Sequence, residues 1–249
     1  MASGSSDHTI KIWDLVSGDC LFTLTGHILC VYKMAELSGN RLVSFSADRT
    51  IRLWDLETGQ NLKIIKCETQ KREKQSIGSI KVLPNEILLC GRGKLIDAYD
   101  LNKGVFVKSL VGHSDSVQCV DILSDGRIVS AAWDRTIKVW NLNSGQCKQT
   151  IMNTVHSGSV LCMLVLANDI LVTGSDETTI KVWDVRTKKL VKTLIGHQGI
   201  VSCLSSISDD KICSGSWDGT IKIWNLTSTS CLQTFYNTGI IYSLECFSN

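Results

Sequence analysis

The sequence predicts an all-β fold built from six repeats of short antiparallel strands, and three observations predict it. First, Trp13, Trp54, Trp140, Trp183 and Trp224 each close a run Thr-Ile-Lys/Arg-apolar-Trp followed by Asp or Asn; Tyr99, in LIDAYD, stands where a sixth aromatic falls. Successive spacings are 41, 45, 41, 43 and 41 residues, a period that marks a repeat architecture. Second, a His lies 27 residues before four of these Trp, at His27, His113, His156 and His197. Third, each repeat reads as short β-prone runs parted by turn signals: VQCVDIL, RIVSAAW, TIKVWNL and CKQTIMN, separated by SDG, DR and NSG. No stretch shows the 3.6-residue apolar period of a helix.

Taken in order, the first repeat opens inside its second strand, at ASGSSD, and runs to about residue 26. Further repeats cover about 27–70, 71–112, 113–156, 157–197 and 198–239. The third departs from the pattern, with Leu89, Gly93 and Tyr99 where the others have a hydroxyl, an acid and Trp, and it has no His. The final segment, 240–249, contains IIYSLECF and reads as an innermost strand, with Ile241, Leu244 and Phe247 in register with Val201, Leu204 and Ile207. Pairing with ASGSSDHT would complete the first repeat and leave no open edge, the arrangement that best resists edge-to-edge association. The expectation is therefore one domain over 1–249, although a piece of a longer array has the same ends.

The recurring Gly-His (Gly26-His27, Gly112-His113, Gly196-His197) and the Trp-Asp pairs resemble the WD-repeat family along the whole chain. The resemblance implies a β-propeller, with six four-stranded antiparallel blades around a central channel, closed by the two ends of the chain. It also implies a hydrogen-bonded tetrad in each typical blade. Counting back from each Trp, a Ser or Thr lies ten residues upstream (Ser3, Ser44, Ser130, Thr173, Ser214) and an acid six upstream (Asp7, Asp48, Asp134, Glu177, Asp218). The implied tetrads are His27–Ser44–Asp48–Trp54, His113–Ser130–Asp134–Trp140, His156–Thr173–Glu177–Trp183 and His197–Ser214–Asp218–Trp224. A buried His needs a partner for each ring nitrogen, and an acid on one side with a hydroxyl on the other supplies both. Asp176, next to Glu177, could compete for His156 by a one-residue slip.

Composition narrows the function classes. Lys+Arg 26 against Asp+Glu 24 gives a net charge of +2, too small for nucleic-acid binding through bulk charge. No apolar run is long enough to span a bilayer, so no membrane partner is expected. Eleven Cys, an odd number without a secretory pattern, read as reduced thiols and a cytoplasmic or nuclear setting. Cys20, Cys147 and Cys231 recur at one repeat position and Cys119, Cys162 and Cys203 at another, which reads as small apolar filling; no CxxC is present, and neither a metal nor a cofactor is expected. Four Ser/His/acid sets in one chain argue for structure over a hydrolytic triad, so no catalytic residue is expected.

Function then rests on positions that differ between repeats. The residue before the tetrad acid lies on the rim where the resemblance places a propeller's top face: Ser6, Ala47, Trp133, Asp176 and Trp217, with Arg92 the approximate third-repeat counterpart. Trp133 and Trp217 lie outside the Trp-Asp set and suit a binding hot spot, unless each indole packs on a neighbouring blade. Flanking the first apolar residue of each innermost strand are Tyr32, Gln118, Leu161, Ile200 and Tyr242, with no Arg or Lys among them. Trp133 and Trp217 are expected to flank Asp176 and take a basic side chain, with Tyr32 and Tyr242 across the channel mouth. The segment KIIKCETQKREK, 63–74, carries five basic residues against two acids and is either a solvated loop or a second contact. The expected function is a non-catalytic protein–protein interaction scaffold that binds a short peptide of a protein partner on its top face, as a monomer within a larger complex. The alternatives are the substrate-recognition propeller of a ubiquitin-ligase-type complex, which would need an adaptor segment, and a propeller hydrolase, which would need acids converging at the channel mouth.

Overall fold

A computed structural model describes residues 1–67, 77–151 and 156–244. They form six antiparallel sheets. The first holds β1 (Ala2–Gly4), β2 (Ile10–Trp13) and β3 (Cys20–Leu24) in the order β1-β2-β3. The second holds β4 (Val31–Leu37), β5 (Arg41–Ser46), β6 (Thr50–Asp55) and β7 (Asn61–Lys66). The third is β8 (Ile77–Val82), β9 (Ile87–Arg92), β10 (Leu95–Asp100) and β11 (Val105–Val111). The fourth is β12 (Val117–Ile122), β13 (Ile128–Ala132), β14 (Ile137–Trp140) and β15 (Cys147–Ile151). The fifth is β16 (Val160–Leu166), β17 (Ile170–Ser175), β18 (Ile180–Asp184) and β19 (Lys189–Leu194). The sixth is β20 (Val201–Ser208), β21 (Lys211–Ser216), β22 (Thr220–Asn225) and β23 (Ser230–Tyr236). Among the described residues there is no α-helix, only a 3₁₀ turn at Ala167–Asp169. Six meandering sheets agree with the expected six blades, and each sheet falls inside one expected repeat. The sheets group into two compact units, 1–109 and 110–249.

The turns follow from short polar side chains. After each strand that ends on the repeat aromatic, the Asp or Asn beside it folds its side chain back on the next backbone: Asp14 accepts from the Val16 and Ser17 N–H, Asp55 from Glu57 and Thr58, Asp184 from Arg186 and Thr187. This Asx turn is the physical reason an acid or amide follows the Trp. Between second and third strands the tetrad acid does the same, Asp48 accepting from Thr50 N–H at 2.9 Å and Asp134 from Thr136 N–H at 3.0 Å. The residue between must take φ near +65°, held by Arg49 and Arg135 at some cost and by Gly219 (φ +79°) at none.

The cores lie between successive sheets within each unit. Val43, Phe45, Ile51 and Leu53 of the second sheet pack on Ile77, Leu88, Cys90 and Tyr99 of the third. Val129, Ile137 and Val139 of the fourth meet Val160, Leu171 and Trp183 of the fifth. Covering a side chain such as Ile51 completely contributes about 1.5–3 kcal/mol over leaving it in water.

Two expectations meet other outcomes. The completing inner strand for the first sheet was expected from 240–249; residues 241–244 belong to no strand, and Phe247, with the rest of 245–249, lies outside the described residues. Ile241 nevertheless takes an inner-strand slot. A Cβ on Gly215 would meet its Cγ2 at 2.4 Å, as one on Gly174 would meet Val201 Cγ1 at 2.6 Å and one on Gly4 would meet Val31 Cγ1 at 2.9 Å. Its N–H bonds Ser216 O at 3.2 Å, as Val31 N–H bonds Ser5 O at 3.1 Å. The expected match of Ile241 to Val201 therefore holds. The filler reading of the cysteines holds only in part. Cys162 and Cys203 are buried, whereas Cys20, Cys147 and Cys231 are exposed at equivalent strand irregularities, their thiols bonding the carbonyls of Phe22, Gln149 and Gln233.

Candidate functional site

Four sheets each hold one chain of polar side chains. In the second, His27 Nδ1 meets Asp48 at 2.8 Å, His27 Nε2 meets Ser44 Oγ at 2.8 Å, and Trp54 Nε1–H donates to Ser44 Oγ at 2.8 Å. The same contacts are 2.8, 2.8 and 2.7 Å for His113, Asp134, Ser130 and Trp140. They are 2.9, 2.7 and 2.8 Å for His197, Asp218, Ser214 and Trp224. His156 takes Glu177 at 2.7 Å and Thr173 at 2.7 Å, with Trp183 on Thr173 at 2.9 Å. Glu177 therefore holds the acid role and Asp176 does not. Its extra methylene brings it further partners: Ser157, Thr179 and Lys181 all donate to its carboxylate.

The protonation states follow from burial. Loss of solvent pushes His27 and His197 below the usual imidazole value, and His156 down to about 4, where the Lys181 charge adds to burial. Burial also works against the Asp48 carboxylate, but donors from Thr50, His27 and the Ile28 N–H outweigh it and bring the group down to about 2. A neutral imidazole beside a carboxylate sets one proton order: Trp N–H to hydroxyl, hydroxyl to Nε2, Nδ1–H to acid. Within these four tetrads every hydroxyl and imidazole nitrogen is engaged in a hydrogen bond.

The first and third sheets lack this chain. Trp13 donates to Ser3 Oγ at 2.8 Å, and Lys11 lies over its ring at 5.7 Å. In the third sheet Tyr99 is 1% exposed, and Asp97 is buried where the other repeats carry Lys or Arg two residues before the aromatic. Lys138 donates to Thr150 and Lys222 to Thr234; with the charge reversed, Asp97 accepts from Ser109 Oγ at 2.5 Å and pairs with Arg92 at 2.7 Å. Arg92, at the rim position of the third repeat, is therefore spent inward on an ion pair.

Of the remaining rim residues, Ser6, Trp133, Asp176 and Trp217 are exposed and Ala47 is half-buried. Trp133 N–H bonds Ser116 O at 2.9 Å, Asp176 N–H bonds Ser159 O at 3.2 Å, and Trp217 N–H bonds Ile200 O at 2.9 Å. One backbone contact thus hangs all three over the start of an inner strand in successive sheets. Trp133 and Trp217 are each 46% exposed, and among the described residues neither indole N–H has a hydrogen-bond partner. Asp176 is exposed, its Oδ1 over Gly158, where a Cβ would meet it at 1.7 Å. Gln118, Leu161 and Ile200 are half-buried beside these turns, and Tyr32 is 51% exposed on β4. Tyr242, expected across from the tryptophans, instead lies edge-on to Trp217, ring centres 6.3 Å apart at 65°. Its inner-strand slot puts it one residue past Ile241, beside the turn that carries Trp217.

Comparison with known proteins decides the family. The WD domain, G-beta repeat matches residues 1–14, 18–55, 104–141, 145–184 and 188–225. The chain belongs to the WD-repeat family. The matched segments pass over 56–103, which contains the third WD repeat up to its last strand, the one with Tyr99, Asp97 and Arg92 in place of the tetrad. Among curated WD-repeat relatives, the chain is 34% identical to the nuclear distribution protein nudF of Emericella nidulans, over 61% of the chain and 35% of that protein. It is 32% identical to the nuclear distribution protein PAC1 of Coccidioides posadasii, over 61% and 34%, and 24% identical to autophagy-related protein 16 of Arabidopsis thaliana, over 61% and 22%. The chain thus spans about a fifth to a third of these relatives. WD repeats of this kind make a protein-interaction scaffold.

Two features were not legible in the repeat pattern. The Trp217–Tyr242 contact depends on where the segment after β23 docks, and the Arg92–Asp97 pair on a cross-strand reach. The signal for the first was Gly nine residues before Trp in three repeats, at Gly4, Gly174 and Gly215, each leaving room for a β-branched side chain. In the basic segment, Lys63 is not a free cation, because its Nζ bonds the carbonyls of Leu101 and Asn102. Lys71, Arg72 and Lys74 lie outside the described residues.

Proposed function

We propose that this WD-repeat chain is a non-catalytic scaffold that binds a short peptide of a protein partner at the rim of the fourth to sixth blades, through Trp133, Asp176 and Trp217. One observation carries the reading: five tryptophans are locked by an indole hydrogen bond to a Ser or Thr, while Trp133 and Trp217 are half-exposed with the N–H unengaged. A large amphipathic ring held on a tight turn loses little entropy on binding and is the side chain most often found at an interaction hot spot. Asp176 between the two indole turns adds charge that complements a basic side chain, attracted also to the indole faces. Tyr242 extends the Trp217 side of this surface, and Gln118, Leu161 and Ile200 form its floor. The commitment of every tetrad His and hydroxyl supports a role without catalysis. A monomeric chain within a larger complex, in the cytoplasm or nucleus, fits the reading, which involves no cofactor, nucleic acid or membrane.

The test is a titration of a blocked pentapeptide with a central arginine against wild type, Trp133→Ala and Trp217→Ala. A hot-spot tryptophan costs about 2 kcal/mol of binding when removed, so affinity should fall roughly thirtyfold with folding little changed. Equal binding by wild type and both variants would overturn the reading.

A further inference from the structure

Residues 237–244, after β23, leave the sixth sheet without forming a strand, yet one of them is fixed from three sides. Ile241 N–H bonds Ser216 O at 3.2 Å, and the Ser202 hydroxyl spans the carbonyls of Ile241 and Gly215. Its side chain fills the space over Gly215, so that Ile241 is 8% exposed while Ile240 is 40% and Tyr242 70% exposed. Tyr242 has no hydrogen bond of its own among the described residues. Its contact with Trp217 therefore depends on its neighbour.

This rests on the rim-binding reading above and deepens it. We propose that Ser202 and Gly215 are positioning residues for the ligand site: by seating Ile241 they present Tyr242 to Trp217, and ligand binding and seating of 240–242 stabilise one another. The coupling is one of populations. An aromatic wall that exists only when Ile241 is seated offers full affinity only to the seated fraction, and apparent Kd rises as that fraction falls. Reciprocity then requires a ligand that touches Tyr242 to hold the segment down. The slot is specific in shape: Gly215 leaves space for Cγ2 of a β-branched residue, and the same glycine–β-branched pairing recurs at Gly174 with Val201 and Gly4 with Val31. In those two cases the inner residue lies in a strand, β20 or β4, held by a ladder along its length. Among the described residues Ile241 lies in no strand and is held by the slot, its N–H bond to Ser216 and the Ser202 hydroxyl alone, and so the seating can be shifted by a single side chain.

The experiment uses the full chain with Ser202→Ala and Gly215→Ala, and two readouts. Without ligand, hydrogen exchange at the Ile241 amide and the ring-current shift of the Tyr242 protons by Trp217 report seating. Ser202→Ala should speed exchange and collapse the shift, with exchange in β20–β22 unchanged. Gly215→Ala, whose Cβ would also meet Cys203 Sγ at 2.7 Å, should do so more strongly. With the arginine pentapeptide, a seated fraction reduced to a tenth should raise apparent Kd about tenfold. Tyr242→Ala in the Ser202→Ala background should add little, because both remove the same contact. An unchanged ring-current shift in both variants would overturn the positioning role. A lost shift with unchanged peptide affinity would overturn the coupling and leave the Trp133–Trp217 reading intact. Failure of the peptide to bind wild type would overturn that reading and the coupling with it, while the ligand-free measurement still decides the positioning role.

Discussion

The fourth and third blades are built on the same four-strand meander but are held together by different chemistry. In the fourth, His113, Ser130, Asp134 and Trp140 form one hydrogen-bonded chain ending on a carboxylate, and Trp140 is fully buried. In the third, Leu88, Leu89, Ile96 and Ala98 are completely covered, Tyr99 occupies the Trp position, and a buried Arg92–Asp97 pair with Ser109 replaces the polar chain. The tetrad is thus not what makes a blade. Alternating apolar residues and tight turns suffice for the sheet, and the polar group is a local choice that sets how the interior responds to mutation and acid.

The largest expected effect lies in the blade without a tetrad. Asp97→Ala leaves Arg92 charged and largely buried, and breaking a buried pair from one side costs about 3–5 kcal/mol; urea unfolding should show it, and a loss below about 1 kcal/mol would make the pair incidental. Asp134→Ala in the fourth blade should cost less, about 1–3 kcal/mol: it strands the His113 ring N–H and the Ser114 and Thr136 backbone N–H beside the exposed turn, while Ser130 and Trp140 stay bonded. Thermal or urea unfolding of the two variants side by side tests that ranking.

Acid sharpens the contrast. His156 titrates at about 4 in the fold, below the ordinary 6.5, so the unfolded chain takes up the proton first. Its contribution to stability is complete above about pH 6.5 and is lost as pH falls from there toward 4. Asp48, lowered to about 2, keeps its contribution down to its ordinary 3.8 and loses it only below that. His156→Gln should flatten the first part of the stability curve in urea titrations between pH 7 and 4. Local protection gives a smaller effect. Without a tetrad, amides of 77–110 should exchange before those of 117–151, and equal protection would mean that apolar packing and the ion pair replace the tetrad fully. Smallest is a chemical contrast: burial pushes the Cys67 thiol up to about 11, so an alkylating reagent should label exposed Cys20, Cys147 and Cys231 well before Cys67 in the native state.

How much could be read in advance follows from the range of each interaction. The strands, their turns and the tetrads are set by residues at fixed separations, such as the 27 residues from His27 to Trp54, and a repeated interval shows in sequence because each repeat solves the same packing problem. Rim positions were legible for the same reason: Trp133, Asp176 and Trp217 sit one residue before a tetrad acid. Their exposure was not, since a ring on a turn can fold against a neighbour or stand in solvent without any change in spacing.

By itself, then, the sequence determined the six β repeats, which four carry a complete His-to-Trp chain, and that Glu177 or Asp176 must serve His156. Tertiary structure alone chose Glu177, whose longer arm lets Ser157, Thr179 and Lys181 converge on one carboxylate. It also turned Arg92 inward, where it supplies the countercharge that buried Asp97 on the adjoining strand would otherwise lack. And it brought Tyr242 to Trp217 rather than across from it. That contact depends on a glycine-lined slot filled by Ile241 from beyond the last strand, a match of shape between residues 26 apart that no local pattern encodes.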